Sequence, residues 1–170
     1  HWLKVLNERA IGPRMMFSGE DFVAYEFAEG EYIEDWLSDA SKEDILAVLK
    51  SVFQQCYVMD KLGINKEEMH HPLKHIIVDK DCNATLIDFE RSYETEKPHN
   101  VTQFADIVGK HRPTLVKKGF DFDLKELREA AAEYKETYYE LERHLMSNCN
   151  FLKNKIAAND KHGEKSFSTN

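Results

Sequence analysis

The chain has 170 residues, enough for one domain with a real hydrophobic core. A composition of 42% apolar and 32% charged residues predicts a soluble globular protein, and a net charge of −8 argues against non-specific binding to nucleic acid or to an anionic membrane surface. No apolar run reaches the length of a membrane span and no signal-peptide pattern opens the chain. Cys56, Cys82 and Cys149 are scattered without metal-type spacing, so reduced thiols in a cytoplasmic protein are expected. The chain opens on His1, Trp2, Leu3 and Lys4 rather than on Met, which predicts a piece of a longer protein.

Trp2, Leu3, Val5 and Leu6, followed by Ile11, Gly12 and Pro13, read as the last turns of a helix and its stop. Arg14 to Phe17 and Phe22 to Phe27 flank the turn residues Ser18 to Asp21, which predicts a β-hairpin. Gly30 breaks it, and Glu31 to Leu37 reads as a short amphipathic helix. Ser41 and Asp44 have the spacing of a helix N-terminus. Ile45, Leu49, Val52, Phe53, Cys56 and Met59 then recur at three and four residues, which predicts a buried helix closed by Gly63. Asn65 to Lys74 reads as a polar loop.

Beyond it, Ile76 to Val78 and Ala84 to Ile87 flank Asp79–Asn83, a second predicted hairpin. It ends by presenting Asp88. A carboxylate at the end of a buried strand must be solvated, paired or bound to a cation, because leaving it dry and alone costs several kcal/mol. Taken alone, Asp88 reads as a strand-end residue capping the next turn.

Glu90 to Pro98 reads as a surface loop, Val101 to Val108 as a helix and His111 to Phe120 as irregular. Asp123 then caps a long helix with Leu124, Leu127, Ala131, Tyr134, Tyr138, Leu141 and Leu145 on one stripe. Such a stripe is more often core-facing than a coiled coil. Residues 157–170 are polar and read as a flexible tail.

The hairpin carries a resemblance. In protein kinases a catalytic loop, HRDLKxxN, is followed by an apolar triplet, a turn and DFG, with the loop Asn and the DFG Asp thirteen residues apart. Here His75 and Asp88 are thirteen apart, with Ile76 to Val78, the Asp79 to Asp81 turn and the Leu86 to Phe89 ending in the same order. Val23 to Gly30 looks like the strand that leads into the kinase hinge, Ile45 to Leu62 like the long helix before the catalytic loop, and Trp2 to Pro13 like the end of the small lobe's regulatory helix. Over residues 1–92 the chain resembles the C-terminal lobe and hinge of a kinase-like protein. It is most similar to small archaeal-type predicted Ser/Thr kinases, relatives of the RIO and lipopolysaccharide kinases. It departs from the pattern in having Glu90 for the DFG glycine and no APE motif.

The resemblance implies an α+β, mostly helical fold: a remnant of the small lobe over 1–27, a large lobe over 28–156 and the tail over 157–170. It implies an ATP-dependent phosphotransferase, with Asp88 holding the Mg²⁺ that bridges the ATP phosphates. His75 stands where a second metal ligand, Asn, is expected; imidazole is a softer, poorer Mg²⁺ ligand but can hydrogen-bond a phosphate or water. Five residues before His75 stands His70, which is no carboxylate. If Glu68 and Met69 match the Asp and Leu of the loop, Glu68 is the base that accepts the proton of the substrate hydroxyl. Lys74 or Lys66 is then the loop lysine near the γ-phosphate. The Glu26 carbonyl and Ala28 N–H would meet adenine, with Tyr25 as gatekeeper. The Gly-rich loop, the strand lysine and its partner glutamate are not found in the chain.

The acceptor, protein or small molecule, is not named by the sequence. Neither nucleic acid nor membrane is expected as a partner, and the 123–145 stripe allows a homodimer. The runner-up function is a pseudokinase, a nucleotide-binding scaffold or interaction module. His70, His71 and His75 lack the spacing of a metal cluster. Cys82 reads as incidental, and Tyr25 and Tyr32 as core or cleft packing.

Overall fold

The computed structural model describes residues 1–70 and 72–136, the side chain of His70 excepted. It is an α+β structure of helices and small antiparallel sheets. The chain divides into two compact units, His1–Ala131 and Ala132–Asn170. Of the second, residues 132–136 are described, and they are helical. Tyr138, Leu141 and Leu145 of the expected stripe, and the 157–170 tail, lie outside the described residues.

The first unit opens with α1 (Trp2–Asn7), which buries Leu3 and Leu6. The predicted hairpin follows as β1 (Met15–Ser18) and β2 (Val23–Tyr25), paired antiparallel. This two-stranded ribbon leaves Met16, Phe17, Phe22 and Val23 exposed. After Gly30 the chain does not enter the helix at once. Glu31–Tyr32 form β3, which pairs with Val78 and Ile77, and only then does α2 (Ile33–Asp39) begin. The strand was missed because its partner lies more than forty residues away. Gly30 (φ 134°) permits the approach: a Cβ there would stand 2.2 Å from the Val78 carbonyl oxygen.

The central helix, α3 (Lys42–Lys61), starts as its cap predicts, with Ser41 Oγ accepting from the Asp44 N–H. Ile45, Val48, Val52, Cys56 and Met59 form its fully buried face. The helix α4 (Asn100–Lys110) packs on it, with Phe53 and Phe104 edge-to-face at 4.8 Å. The Asp88 hairpin is present as β5 (Ile76–Val78) and β6 (Ala84–Leu86), with Ile76 opposite Leu86. Its turn is tied by Asp79, whose carboxylate accepts from the N–H groups of Asp81 and Asn83 and from Asn83 Nδ2.

Three further expectations are corrected. Asn65 to Lys74 is not a solvated polar loop. Ile64–Asn65 form β4, two 3-10 turns follow (Glu67–His70 and Pro72–Lys74), and Asn65, Lys66, Glu68, Met69 and Pro72 are buried. Glu90 to Pro98 is not wholly surface either: Tyr93–Glu94 form β7, paired with β4, and Ser92 is buried. His111 to Phe120 contains a short helix, α5 (Arg112–Lys117), where Pro113 sits in the first turn and favours the helix instead of breaking it. Farther on, Asp123 Oδ1 accepts from the N–H groups of Lys125 and Glu126 and starts the next helix. Leu124 and Leu127 turn toward Gly109 of α4, so the start of the stripe faces the core.

The buried segment is held by Asn100, at the start of α4. Its Nδ2 donates to Asp60 Oδ1 (2.6 Å) and to the Ile64 carbonyl (2.7 Å), and its Oδ1 accepts from the Lys66 N–H (2.8 Å). Its own N–H also donates to Asp60 Oδ1. Asp60 is itself buried, so truncating Asn100 leaves a carboxylate and two backbone groups short of partners. Asn100→Ala is expected to cost about 3 kcal/mol, seen as a lower urea midpoint at unchanged slope.

Candidate functional site

The hairpin strands hold Asp88 where the last ladder bond ends. The Ile87 N–H donates to the His75 carbonyl (2.9 Å), and at Asp88 the backbone turns left-handed, φ 64°. Asp tolerates this conformation better than most residues, yet it is held against preference and marks a position fixed by its surroundings. Phe89 is buried next to it and lies under Gly12, where a Cβ would meet the ring at 2.7 Å. The loop after α1 and the residue after Asp88 are thus locked together.

Beneath Asp88 lies a buried charge cluster. Lys66 is fully buried; its ammonium donates to Glu68 Oε2 (3.1 Å) and to the Asp88 backbone carbonyl, and it sits 5.1 Å from the Phe89 ring centre. Glu68 is 1% exposed, and its other oxygen accepts from Arg91 Nε (2.8 Å). Burial pushes the Lys66 ammonium below its ordinary range, and the Glu68 charge opposes this. Burial alone would push the Glu68 carboxyl up. Its own backbone N–H, Lys66 and Arg91 outweigh that and leave it below the usual carboxylate value.

His75 is 22% exposed at the side chain and closes the other side. Its Nδ1 lies 3.3 Å from Asp88 Oδ2, but without the alignment of a hydrogen bond. Burial, and then Lys66, hold the imidazole below its ordinary pKa against the pull of Asp88 and Glu68, so it is neutral at neutral pH.

One cavity borders Asp88, and a second lies between the Glu26–Gly30 segment and the hairpin turn. The first, of about 410 Å³, is lined by Trp2, Leu3, Val23, Tyr25, Asp88 and Phe89, among others. The second, of about 540 Å³, takes in Gly12, Arg14, Glu26, Ala28, Asp79 and Thr85. Tyr25 and Asp88, both singled out in the sequence, therefore share a cavity, with His75 and the Lys66–Glu68 pair against Asp88. Glu26 and Ala28 line the other cavity, and Glu26 is paired there with Arg14. Lys74 is exposed on the second 3-10 turn; the lysine in contact with Glu68 is Lys66.

Arg91 was not foreseen. Nothing in its spacing distinguishes it from a surface arginine, and 61% of its side chain is indeed exposed. Without the kinase pattern, Glu68 is one acidic residue in a polar run. Its burial depends on partners at Lys66 and Arg91 that periodicity does not reveal. Among the described residues no group of three or more His, Cys, Asp or Glu side chains is placed to share a metal ion.

The cluster predicts a specific acid response. The folded-state pKa of Glu68 is depressed, so its contribution to stability is present above about 4.5, the unfolded value, and is lost as pH falls through the folded one. Glu68→Gln leaves Lys66 buried without its counter-charge and is expected to cost about 3 kcal/mol at pH 7. The gap to wild type should close as pH falls below about 4.5, and urea titrations at pH 7, 5, 4 and 3 measure it.

No protein-family model matches the sequence, and no curated protein matches it either.

Proposed function

We propose that the chain is the large lobe and hinge of a protein-kinase-like phosphotransferase, acting on a Ser or Thr hydroxyl with ATP and Mg²⁺. The observation that carries this reading is the convergence at Asp88. A carboxylate in a left-handed turn at the end of a hairpin faces the same cavity as Tyr25, with His75 and Lys66 against it.

The donor set fits Mg²⁺ at Asp88. Its carboxylate is 38% exposed at a cavity wall, and Mg²⁺ usually takes one or two carboxylates while keeping water and phosphate oxygens. When bound, the ion would neutralise charge on the transferring phosphoryl group. Asp88 would fix it, and the Lys66–Asp88 contact would keep the Asp88 backbone in its turn. Tyr25 would wall the cleft. The Glu26 carbonyl and Ala28 N–H would meet the adenine edge, and Glu68 would accept the proton of the attacking hydroxyl.

One observation favours the second reading, a nucleotide-binding scaffold without transfer. Both Glu68 oxygens are already engaged, by Lys66 and by Arg91, and the residue is 1% exposed. A base needs a free lone pair within hydrogen-bond reach of the proton it takes. Arg91 is the exposed partner, so its departure would free one oxygen for an acceptor.

Calorimetry of Mg·ATP with the complete protein tests the first step. Binding should weaken at least about tenfold in Asp88→Ala; equal binding in the two proteins, or none in either, would overturn the proposal. Single-turnover transfer from labelled ATP then separates the two readings, since a scaffold retains the label on ATP.

A further inference from the structure

The cavity that Asp88 borders has a composition that phosphate transfer does not require. Its volume, about 410 Å³, is that of a small-molecule site, and three aromatic residues, Trp2, Tyr25 and Phe89, line it. Its two charged residues, Asp88 and Glu90, are both acidic. Among the described residues no lysine or arginine lines it, and His1 is the one lining residue whose side chain can take up a proton near neutral pH. Glu90 stands where the kinase pattern has glycine, so the second carboxylate is this chain's own addition.

The buried cation beneath does not neutralise this cavity. Lys66 is fully buried and already bound to Glu68 and to the Asp88 backbone carbonyl. It also lies 5.1 Å from the centre of the Phe89 ring, so that ring already faces a cation. Trp2 stands edge-on to His1, and Tyr25 is 46% exposed. Aromatic faces attract positive charge, tryptophan most strongly, and they favour a cation that sheds its water readily. Mg²⁺ holds its water tightly and seeks oxygen, which the rings do not supply. An alkylated ammonium has the opposite character: a diffuse charge under an apolar coat.

We propose that this cavity is a site for a small alkylammonium group, held between the rings of Trp2 and Tyr25 and facing the Glu90 carboxylate. Asp88 adds to the negative field there and remains the residue whose oxygens fit a metal. The inference goes beyond the phosphotransfer reading and does not rest on it. The same group is carried by free amines and by methylated lysine side chains of proteins.

Tetramethylammonium is the probe, and tert-butanol is the neutral control of similar size. Saturation-transfer NMR reads the binding of both to the complete protein. Divalent ions are left out, and the sample is held at about pH 8, where an ordinary imidazole is neutral. Tetramethylammonium is expected to bind at least about tenfold more tightly than tert-butanol. Glu90→Gln, which keeps the shape of an exposed side chain, should weaken it at least about threefold and leave tert-butanol unchanged. Tyr25→Leu should weaken it by a similar factor, and circular dichroism confirms that both variants are folded. Equal binding of the two probes overturns the inference, and so does an affinity for tetramethylammonium that both variants leave unchanged. Trimethyl-lysine with blocked termini separates the two sources: a gain over tetramethylammonium assigns a protein side chain, and no gain assigns a free amine. Mg·ATP binding without tetramethylammonium binding would remove this site and leave the phosphotransfer proposal standing. The opposite pair of results would remove that proposal alone.

Discussion

A fully buried ammonium sets the terms for the centre of this protein. Lys66 cannot be left dry and unpaired, since a charge in that setting costs several kcal/mol. Each of its obligations fixes a different part of the chain. Glu68 must fold back from the 3-10 turn, the Asp88 carbonyl must point inward, and Phe89 must lie beside it. Through Glu68 the same charge is linked to Arg91, and independently of it the Lys66 backbone N–H donates to Asn100 Oδ1. The position of the Asp88 carboxylate is a result of these constraints: with the carbonyl turned toward Lys66, the backbone adopts its left-handed turn and the side chain faces the cavity.

What could be read from the sequence was what is local. Ser41 three residues before Asp44 specified a helix start, and the spacing from Ile45 to Met59 specified its buried face. The Asp79 turn and its β-branched flanks specified the hairpin, and with it the place of Asp88. What was not legible depends on partners far along the chain. Glu31 and Tyr32 are strand only because Ile77 and Val78 are beside them. The segment from Asn65 to Lys74 looked solvated because its polar groups are satisfied by one another and by residues 88, 91, 99 and 100, which no window of sequence displays. For the same reason the candidate site was half visible: Asp88 by its place at the end of the hairpin, His75 and Glu68 only by the kinase resemblance, Arg91 not at all.

The two cavities divide the residues that the kinase pattern would unite. Tyr25 lies with Asp88, while Glu26 and Ala28 border a separate space behind the hairpin turn. β2 thus borders the first space and the run from Glu26 to Gly30 the second, and at Gly30 the chain passes tight against the Val78 carbonyl. Asp88 and the segment ending at Gly30 are thereby referenced to the same strand, β5, from opposite sides.

The knot at Asn100 also carries an entropic cost that the local elements do not. Its bonds to Asp60, Ile64 and the Lys66 N–H span 34 to 40 positions of sequence. Closing a loop of that size is entropically costly before its contacts form, whereas α3 and the Asp79 hairpin close over short distances. The helix and hairpin are thus built from local contacts, whereas seating α4 must offset the loop entropy of bringing residues 60–66 to it, and the bonds of one buried asparagine side chain help to do so.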